Sequence, residues 1–136
     1  MGKISQLGDL DEVLELCLLD ETMFPTIDFG HLNSRTLGGL KDKTDFAAVL
    51  DTIENVLGFE RLKNMHIHFS RIEFTAAGER RHWTFADTQY GPEFAPLAEL
   101  LAERGLTPVI ICESKGTMAE DAVSMKRMYE AACKTL

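Results

Sequence analysis

Carboxylate and imidazole side chains occur in three apolar segments of the chain, at or near the point where each segment ends. The segments are FPTIDFGH (24–31), MHIHFSR (65–71) and PVIICE (108–113). Asp28 and His31 end the first segment, His66 and His68 lie in the second, and Glu113 ends the third. If the segments are parallel strands, their carboxyl ends meet at one edge of a sheet. Carboxylate oxygens and imidazole nitrogens bind divalent metals such as zinc, so the pattern predicts a metal site for Lewis-acid chemistry or water activation.

The paired histidines allow two interpretations. In His66-Ile67-His68, both imidazoles lie on one face of a strand, with Cβ atoms roughly 7 Å apart. They could bind one metal, or one of them could support a ligand. Alternatively, both are buried histidines that hydrogen-bond to neighbouring carboxylates.

The two carboxylates also have a structural alternative. A carboxylate in an apolar strand needs a charged partner, a hydrogen-bond donor or a metal, because an isolated buried ion is very costly. Asp28 could order the following loop by accepting backbone N–H groups. Glu113 could form a salt bridge with Arg35, Arg71 or Lys115.

Helix-like and strand-like segments alternate along the chain, in the order α-β-α-β-α-β-α. Strands are predicted at 26–29, 65–69 and 109–112, and helices are predicted to begin at Asp9, Thr44, Pro92 and Thr117. Asp9-Glu12 and Thr117-Glu120 have the spacing of capping boxes. Residues 75–90, with His82, are predicted to form a long loop. Alternation of this kind is typical of an α/β fold with parallel strands and right-handed crossovers.

Composition restricts the class of protein. The 136 residues, 45% hydrophobic and 26% charged, suit one globular domain spanning 1–136. A net charge of −8 disfavours broad electrostatic binding to DNA. No apolar stretch approaches the length of a membrane span and the first ten residues lack a signal-peptide core, so the expected location is cytoplasmic, without membrane partners. Cys17, Cys112 and Cys133 are an odd, scattered set, which predicts buried apolar side chains and no disulfide framework.

Several motifs together resemble a known family. They are IDFGHLN, MHIHFSRIEFT, GERRHWTF, YGPEF and ICESKGTMAEDAVSMK. They resemble the C-terminal half of endonuclease IV-like proteins (AP endonuclease family 2), which belong to the xylose isomerase-like barrels. The resemblance implies a partial (β/α)8 TIM barrel, with strands 6–8 of the barrel and about four helices. Founding members of the family bind three zinc ions and cleave DNA 5′ to an abasic site.

The resemblance also implies site residues. Carried over by motif, the metal ligands are Asp28, His31, His66, His82 and Glu113, with Glu113 also the catalytic residue, and zinc is expected before manganese or magnesium. The family places an aspartate two residues before the loop histidine, where this chain has Arg80. The adjacent Glu79 could replace that aspartate. His68 stands at a position where those enzymes do not require a histidine.

The chain is short for this family, because a complete (β/α)8 barrel takes roughly 250 residues. The resemblance implies that the first five strands would precede Met1. Three parallel strands leave two open edges, which predicts association, most simply as a homodimer. We expect the parent to be a metal-dependent phosphodiesterase and the chain alone to be inactive. The alternatives are a sugar isomerase or epimerase of the same superfamily and a non-catalytic, associating half-barrel.

Overall fold

The protein contains a small parallel sheet, a separate hairpin and six helices, as seen in a computed structural model that describes residues 3–136. In chain order the elements are α1 (Leu10–Cys17), β1 (Thr26–Asp28), α2 (Phe29–Arg35), α3 (Lys43–Leu57), α4 (Phe59–Lys63), β2 (His66–Phe69), β3 (Arg71–Thr75), β4 (Gly78–Trp83), α5 (Ala95–Glu103), β5 (Val109–Cys112) and α6 (Met118–Cys133). This confirms an α/β fold. No closed barrel forms among the described residues, so the partial TIM barrel remains a prediction.

The parallel sheet has the strand order β1-β2-β5, with β2 in the centre. The register aligns Asp28 with His68, and His68 with Ile111. Because side chains alternate between the two faces of a strand, these three residues share one face. The predicted strand positions are therefore correct, and they bring the ends of β1, β2 and β5 to one edge.

The two faces of the sheet differ in burial. The face that carries Ile27, Ile67 and Phe69 is buried against helices, and these side chains belong to the hydrophobic core. The opposite face, on the side of His68, is open: Val109 is 51% exposed and Ile111 is 46% exposed. Parallel sheets normally have both faces covered. This open face is therefore available to further protein.

The helices agree with the sequence-based prediction only in part. Asp9 caps α1 in a reciprocal capping box with Glu12, as predicted. The second predicted box does not form, because the Thr117 hydroxyl donates to Asp121 instead of capping α6. Two short helices, α2 and α4, were missed, so the predicted number of four helices was wrong. Helix α5 begins at Ala95 and not at Pro92.

The predicted loop at 75–90 is largely a β-hairpin. Strands β3 and β4 pair antiparallel, and Ser70 separates β3 from the parallel strand β2. The register shifts once: Glu73 pairs with Arg81, but Phe74 pairs with Glu79. Arg80 is therefore an extra residue on β4, a β-bulge. This hairpin carries His82 to the sheet edge.

Cysteine burial follows the prediction only in part. Cys17 and Cys112 are buried, whereas Cys133 is exposed at the end of α6. All three are free thiols. Across residues 3–136 no helix is both long and apolar enough to span a bilayer.

Candidate metal centre

Asp28 and His31 meet through the start of a helix. Asp28 is the N-cap of α2, and its Oδ1 accepts a hydrogen bond from the backbone N–H of His31 at 2.9 Å. Its other oxygen, Oδ2, lies 2.6 Å from Nδ1 of His31. The spacing Asp-x-x-His thus corresponds to the N-cap and third residue of a helix. Asp28 is the last residue of β1 and is nearly fully buried, which places a carboxylate inside the protein at the end of the strand.

The His31 imidazole lies between two carboxylates. Nδ1 is 2.6 Å from Asp28 and Nε2 is 3.2 Å from Oε2 of Glu79. Both nitrogens are buried, and neither makes a hydrogen bond of regular geometry among residues 3–136, so that the two carboxylates meet this ring as charge contacts. Carboxylates and imidazole brought together in this way are the donor types that a divalent metal binds.

Glu79 and His82 approach His31 from the hairpin. Nε2 of His82 lies 3.5 Å from Oε1 of Glu79, and the His82 and His31 rings meet edge to face with centroids 5.3 Å apart. Nδ1 of His82 is 2.8 Å from the Ser70 hydroxyl. That contact fixes the ring orientation and leaves Nε2 directed toward Glu79.

Glu113 completes the edge from β5. Its Oε1 lies 3.2 Å from Nδ1 of His68, which is aligned with Asp28 in the sheet. Burial raises the pKa of Glu113, and the nearby Asp28 charge raises it further. Two carboxylates of like charge therefore face each other in the metal-free protein. A divalent cation would relieve that repulsion.

The same electrostatics act on Asp28 and His31. Burial opposes the ionisation of Asp28, but the contacts with His31 outweigh it and lower the pKa of that carboxyl. Burial also opposes protonation of His31, but the hydrogen-bonding and charge of Asp28 outweigh it and raise the pKa of the imidazole. In the metal-free protein the pair is held as an ion pair.

Two overlapping groups of ligand atoms result. Asp28, His31 and Glu113 offer atoms that all lie within 4.8 Å of one another, and so do His31, Glu79 and His82. His31 belongs to both. Carboxylate oxygens and imidazole nitrogens suit zinc, whose ligands bind at about 2.0–2.2 Å. The donor set fits a divalent metal, and a small inward movement of the ligands would close either group around it.

His66 is the one predicted ligand that lies apart from these groups. It begins β2, aligned with Thr26 and Val109, and its side chain is exposed. It lies two positions before His68, a distance of roughly 7 Å along the strand. The structure brings Asp28, His31, His82 and Glu113 together as expected, but it places His68 and not His66 at the edge.

Two contributors were underestimated from the sequence. From the sequence, His68 could be a ligand or support one but is not among the predicted ligands, and Glu79 is considered only as a substitute for a missing aspartate. Alternation cannot choose between His66 and His68, because both lie on the same face of β2, whereas the register aligns His68 with Asp28. The position of Glu79 depends on the bulge at Arg80, which no local sequence signal marks.

Comparisons with known proteins give two partial matches in sequence. The chain is 38% identical over 128 residues to an uncharacterized protein of Methanocaldococcus jannaschii, a match that covers 94% of this chain and 45% of the relative. It is 38% identical over 72 residues to a probable endonuclease 4 of Heliobacterium modesticaldum, covering 52% of this chain and 26% of that protein.

These matches are partial in one important respect: the chain spans less than half the length of the curated relatives it matches. No protein-family profile matches the chain, and no solved structure matches it either. The second relative supports an endonuclease IV-like relationship and no more specific conclusion.

Proposed function

We propose that the chain is part of a divalent-metal-dependent hydrolase of the endonuclease IV type, with phosphodiesters as its substrates. The observation that carries the proposal is the His31 imidazole, whose buried nitrogens lie between the Asp28 and Glu79 carboxylates within reach of Glu113 and His82. The partial likeness to a probable endonuclease 4 supports the choice of reaction. Zinc is the first metal to test, followed by manganese and magnesium.

The residues divide the work as follows. A neutral imidazole offers one lone pair to a metal, so His31 would join Asp28 and Glu113 around one cation, and Glu79 and His82 would be left to help hold a second. A bound cation would supply Lewis acidity toward a phosphoryl oxygen and would activate water. Glu113 would hold the cation through one carboxylate oxygen, and its other oxygen can accept and return a proton beside the site. His68 orients Glu113 through the 3.2 Å contact between Nδ1 and Oε1.

We expect low activity from the chain alone, because one face of its parallel sheet is open. Among residues 3–136 the parallel sheet brings three strands to the candidate site, β1, β2 and β5, and β4 of the hairpin adds Glu79 and His82. A closed barrel would bring further strand ends to the same edge. We propose that the isolated chain binds metal but does not cleave abasic-site DNA efficiently. The complete reaction would need more protein on the open face.

The test pairs metal loading with an undemanding substrate. The zinc-loaded chain is incubated with bis(4-nitrophenyl) phosphate, an activated diester, and separately with duplex DNA that contains one abasic site. We expect slow release of nitrophenolate that a chelator and Glu113→Gln both abolish, and little DNA cleavage. Bound zinc without any diester hydrolysis would count against the phosphodiesterase assignment.

One observation favours a second reaction. The net charge of −8 suits a small substrate better than DNA. A sugar isomerase or epimerase would use the same carboxylates to move a proton beside a carbonyl group. Metal-dependent interconversion of aldoses and ketoses, without diester hydrolysis, would establish that alternative.

A further inference from the structure

We propose that Glu73 is a positioning residue: it holds the β4 bulge in the conformation that places Glu79 beside His31 and His82. The inference deepens the proposed metal site and rests on it for the role of Glu79. Glu73 makes no contact with His31 or His82 among the contacts of residues 3–136. Its effect must therefore act through the hairpin.

The need for such a residue follows from strand geometry. Glu79 and His82 are three residues apart on β4, and in a regular strand an odd separation places side chains on opposite faces. The register shift makes Arg80 an extra residue, so that Glu79 pairs with Phe74 while His82 pairs with Ile72. Phe74 and Ile72 share a face of β3, and therefore Glu79 and His82 share a face as well.

The bulge also turns the extra residue, Arg80, toward Glu73. Arg80 and Arg81 both oppose Glu73, which pairs with Arg81 in the register. Nη1 of Arg80 donates to Oε1 of Glu73 at 2.6 Å, and Nε of Arg81 donates to Oε2. Bulges near functional sites are known to redirect side chains in this way. Two consecutive arginines thus point away from the metal ligands.

A third donor completes the arrangement. Nε1 of Trp83 donates to Oε2 of Glu73 at 2.9 Å, and the Arg81 guanidinium lies over the Trp83 ring, 5.0 Å from its centroid. The Glu73 side chain is 7% exposed, whereas those of Arg80 and Arg81 are 63% and 54% exposed. One buried carboxylate therefore gathers two solvent-exposed cations and an indole.

The electrostatics keep Glu73 ionised in this role. Burial opposes its ionisation, but hydrogen bonds from Arg81 and Trp83 and the charge of Arg80 outweigh it and lower the pKa of the carboxyl. A charged acceptor makes stronger hydrogen bonds to guanidinium than a neutral one. Replacing the carboxylate by an amide would remove the charge that opposes Arg80 and Arg81 and would release the bulge.

The first test needs no metal. Nuclear Overhauser contacts between the Glu79 side chain and the His31 and His82 rings are measured in the wild-type chain and in Glu73→Gln. We expect them in the wild type and expect their loss in the variant. Unchanged contacts in Glu73→Gln would overturn the inference, whatever the fate of the metal proposal.

The second test uses Co²⁺ as a spectroscopic substitute for zinc. We expect Glu73→Gln to bind Co²⁺ about ten-fold more weakly and to show an altered visible spectrum at saturation, because an outer residue that orients a ligand has effects of this size. A wild-type chain that binds neither Co²⁺ nor zinc would refute the metal site alone. An unchanged affinity and spectrum in the variant would refute the role of Glu73.

The matched control is Glu93→Gln. Glu93 pairs with Arg71 of the same hairpin through two hydrogen bonds of 2.7 and 2.8 Å, away from the bulge. We expect it to lower stability without altering the Glu79 contacts or the Co²⁺ spectrum. If Glu73→Gln fails to fold, Arg80→Met decides the question, with a smaller loss in the same direction expected and no change as the contrary result.

Discussion

Asp28 uses its two carboxylate oxygens for two different tasks on the same residue, His31. One oxygen caps helix α2 at the His31 backbone N–H, and the other lies 2.6 Å from the imidazole Nδ1. The helix start and the ligand position are therefore fixed by one side chain. A change at Asp28 should therefore affect both the stability of α2 and the position of the His31 ring.

This coupling can be separated by two substitutions of Asp28. Asp28→Asn keeps an oxygen that can cap α2 but removes the charge beside His31, so we expect most of the stability to remain and metal affinity to fall at least ten-fold. Asp28→Ala removes the cap as well and should cost about 1 kcal/mol more in the free energy of unfolding. Urea denaturation and zinc titration measure the two effects.

Asp42→Ala is the control for the capping part of that prediction. Asp42 caps α3, where its Oδ1 accepts from the backbone N–H of Thr44 at 2.9 Å. We expect a similar loss of stability with unchanged zinc affinity. If Asp28→Asn binds zinc as the wild type does, Asp28 acts only as a helix cap.

The metal-free protein should show a pH dependence that comes from His31. Its pKa is raised, so the folded state binds the proton more tightly than the unfolded state does. The protonated His31 therefore stabilises the folded state fully below the ordinary pKa of 6.5. This stabilisation is lost as the pH rises through the higher pKa that His31 has in the folded chain. The lowered pKa of Asp28 sets the acid limit, since its contribution disappears as the pH falls below 3.8 through its own folded value.

The measurement compares wild type with His31→Asn by denaturation between about pH 5 and about pH 9 in the presence of a chelator. We expect the stability advantage of the wild type to shrink above 6.5. An advantage that is constant across this range would show that the His31 proton is not linked to folding.

The ionised Glu113 side chain should destabilise the metal-free protein, because its pKa is raised in the folded state. Its pKa is raised by burial and by Asp28, so the stability it contributes is present below 4.5 and is lost as the pH rises through the folded value. At neutral pH we expect Glu113→Gln to stabilise the metal-free chain. Zinc should reverse the order, raising the melting temperature of the wild type more than that of the variant.

Glu130→Gln is the control for Glu113→Gln. Glu130 is exposed on α6 and belongs to neither group of candidate metal ligands. We expect almost no change in melting temperature with or without zinc. Glu113→Gln that destabilises the chelated protein at neutral pH would show that Glu113 mainly accepts a stabilising contact from His68.

The bulge gives a prediction about where a carboxylate can act. Glu79→Ala/Arg80→Asp moves the carboxylate by one residue, from position 79 to position 80. Residue 80 points toward Glu73 and away from His31, so we expect zinc affinity to stay as low as in Glu79→Ala alone. Isothermal titration calorimetry of both variants provides the comparison, and recovery in the double variant would mean that residue 80 reaches the site.

The open face of the sheet gives a prediction about association. Val109 and Ile111 are about half exposed on the face opposite the core, and the edges of β1 and β5 have no partner strand among residues 3–136. We expect a dimer in size-exclusion chromatography with light scattering, and we expect Ile111→Lys to shift it toward monomer. A wild-type monomer at high concentration would exclude association through this face.

Much of the arrangement could be predicted from the sequence, for identifiable reasons. The parallel strands and their polar ends follow from alternation and from the apolar runs. The Asp28–His31 spacing also pointed to a shared position, although the helix that creates it was missed. Short helices such as α2 have too few turns to show a clear hydrophobic period.

The hairpin could not be predicted in the same way. The segment around GERRHW is polar, and four of its residues carry charge or an imidazole, so it lacks the apolar alternation typical of a strand. Its strands form because Glu73 gathers Arg80, Arg81 and Trp83, a contact between residues that no local pattern connects. The sequence could not place His68 closer to Asp28 than His66 for a related reason, since only the register with β1 distinguishes the two histidines.

Zinc binding to the purified chain tests the account most directly. The chain is stripped with a chelator, dialysed and titrated with zinc by calorimetry, and bound metal is then counted by mass spectrometry. We predict at least one tightly bound zinc per chain in the wild type and none in His31→Ala. A wild-type chain that retains no zinc, or a His31→Ala variant that retains it fully, would contradict the claim that His31 is the centre of a metal site.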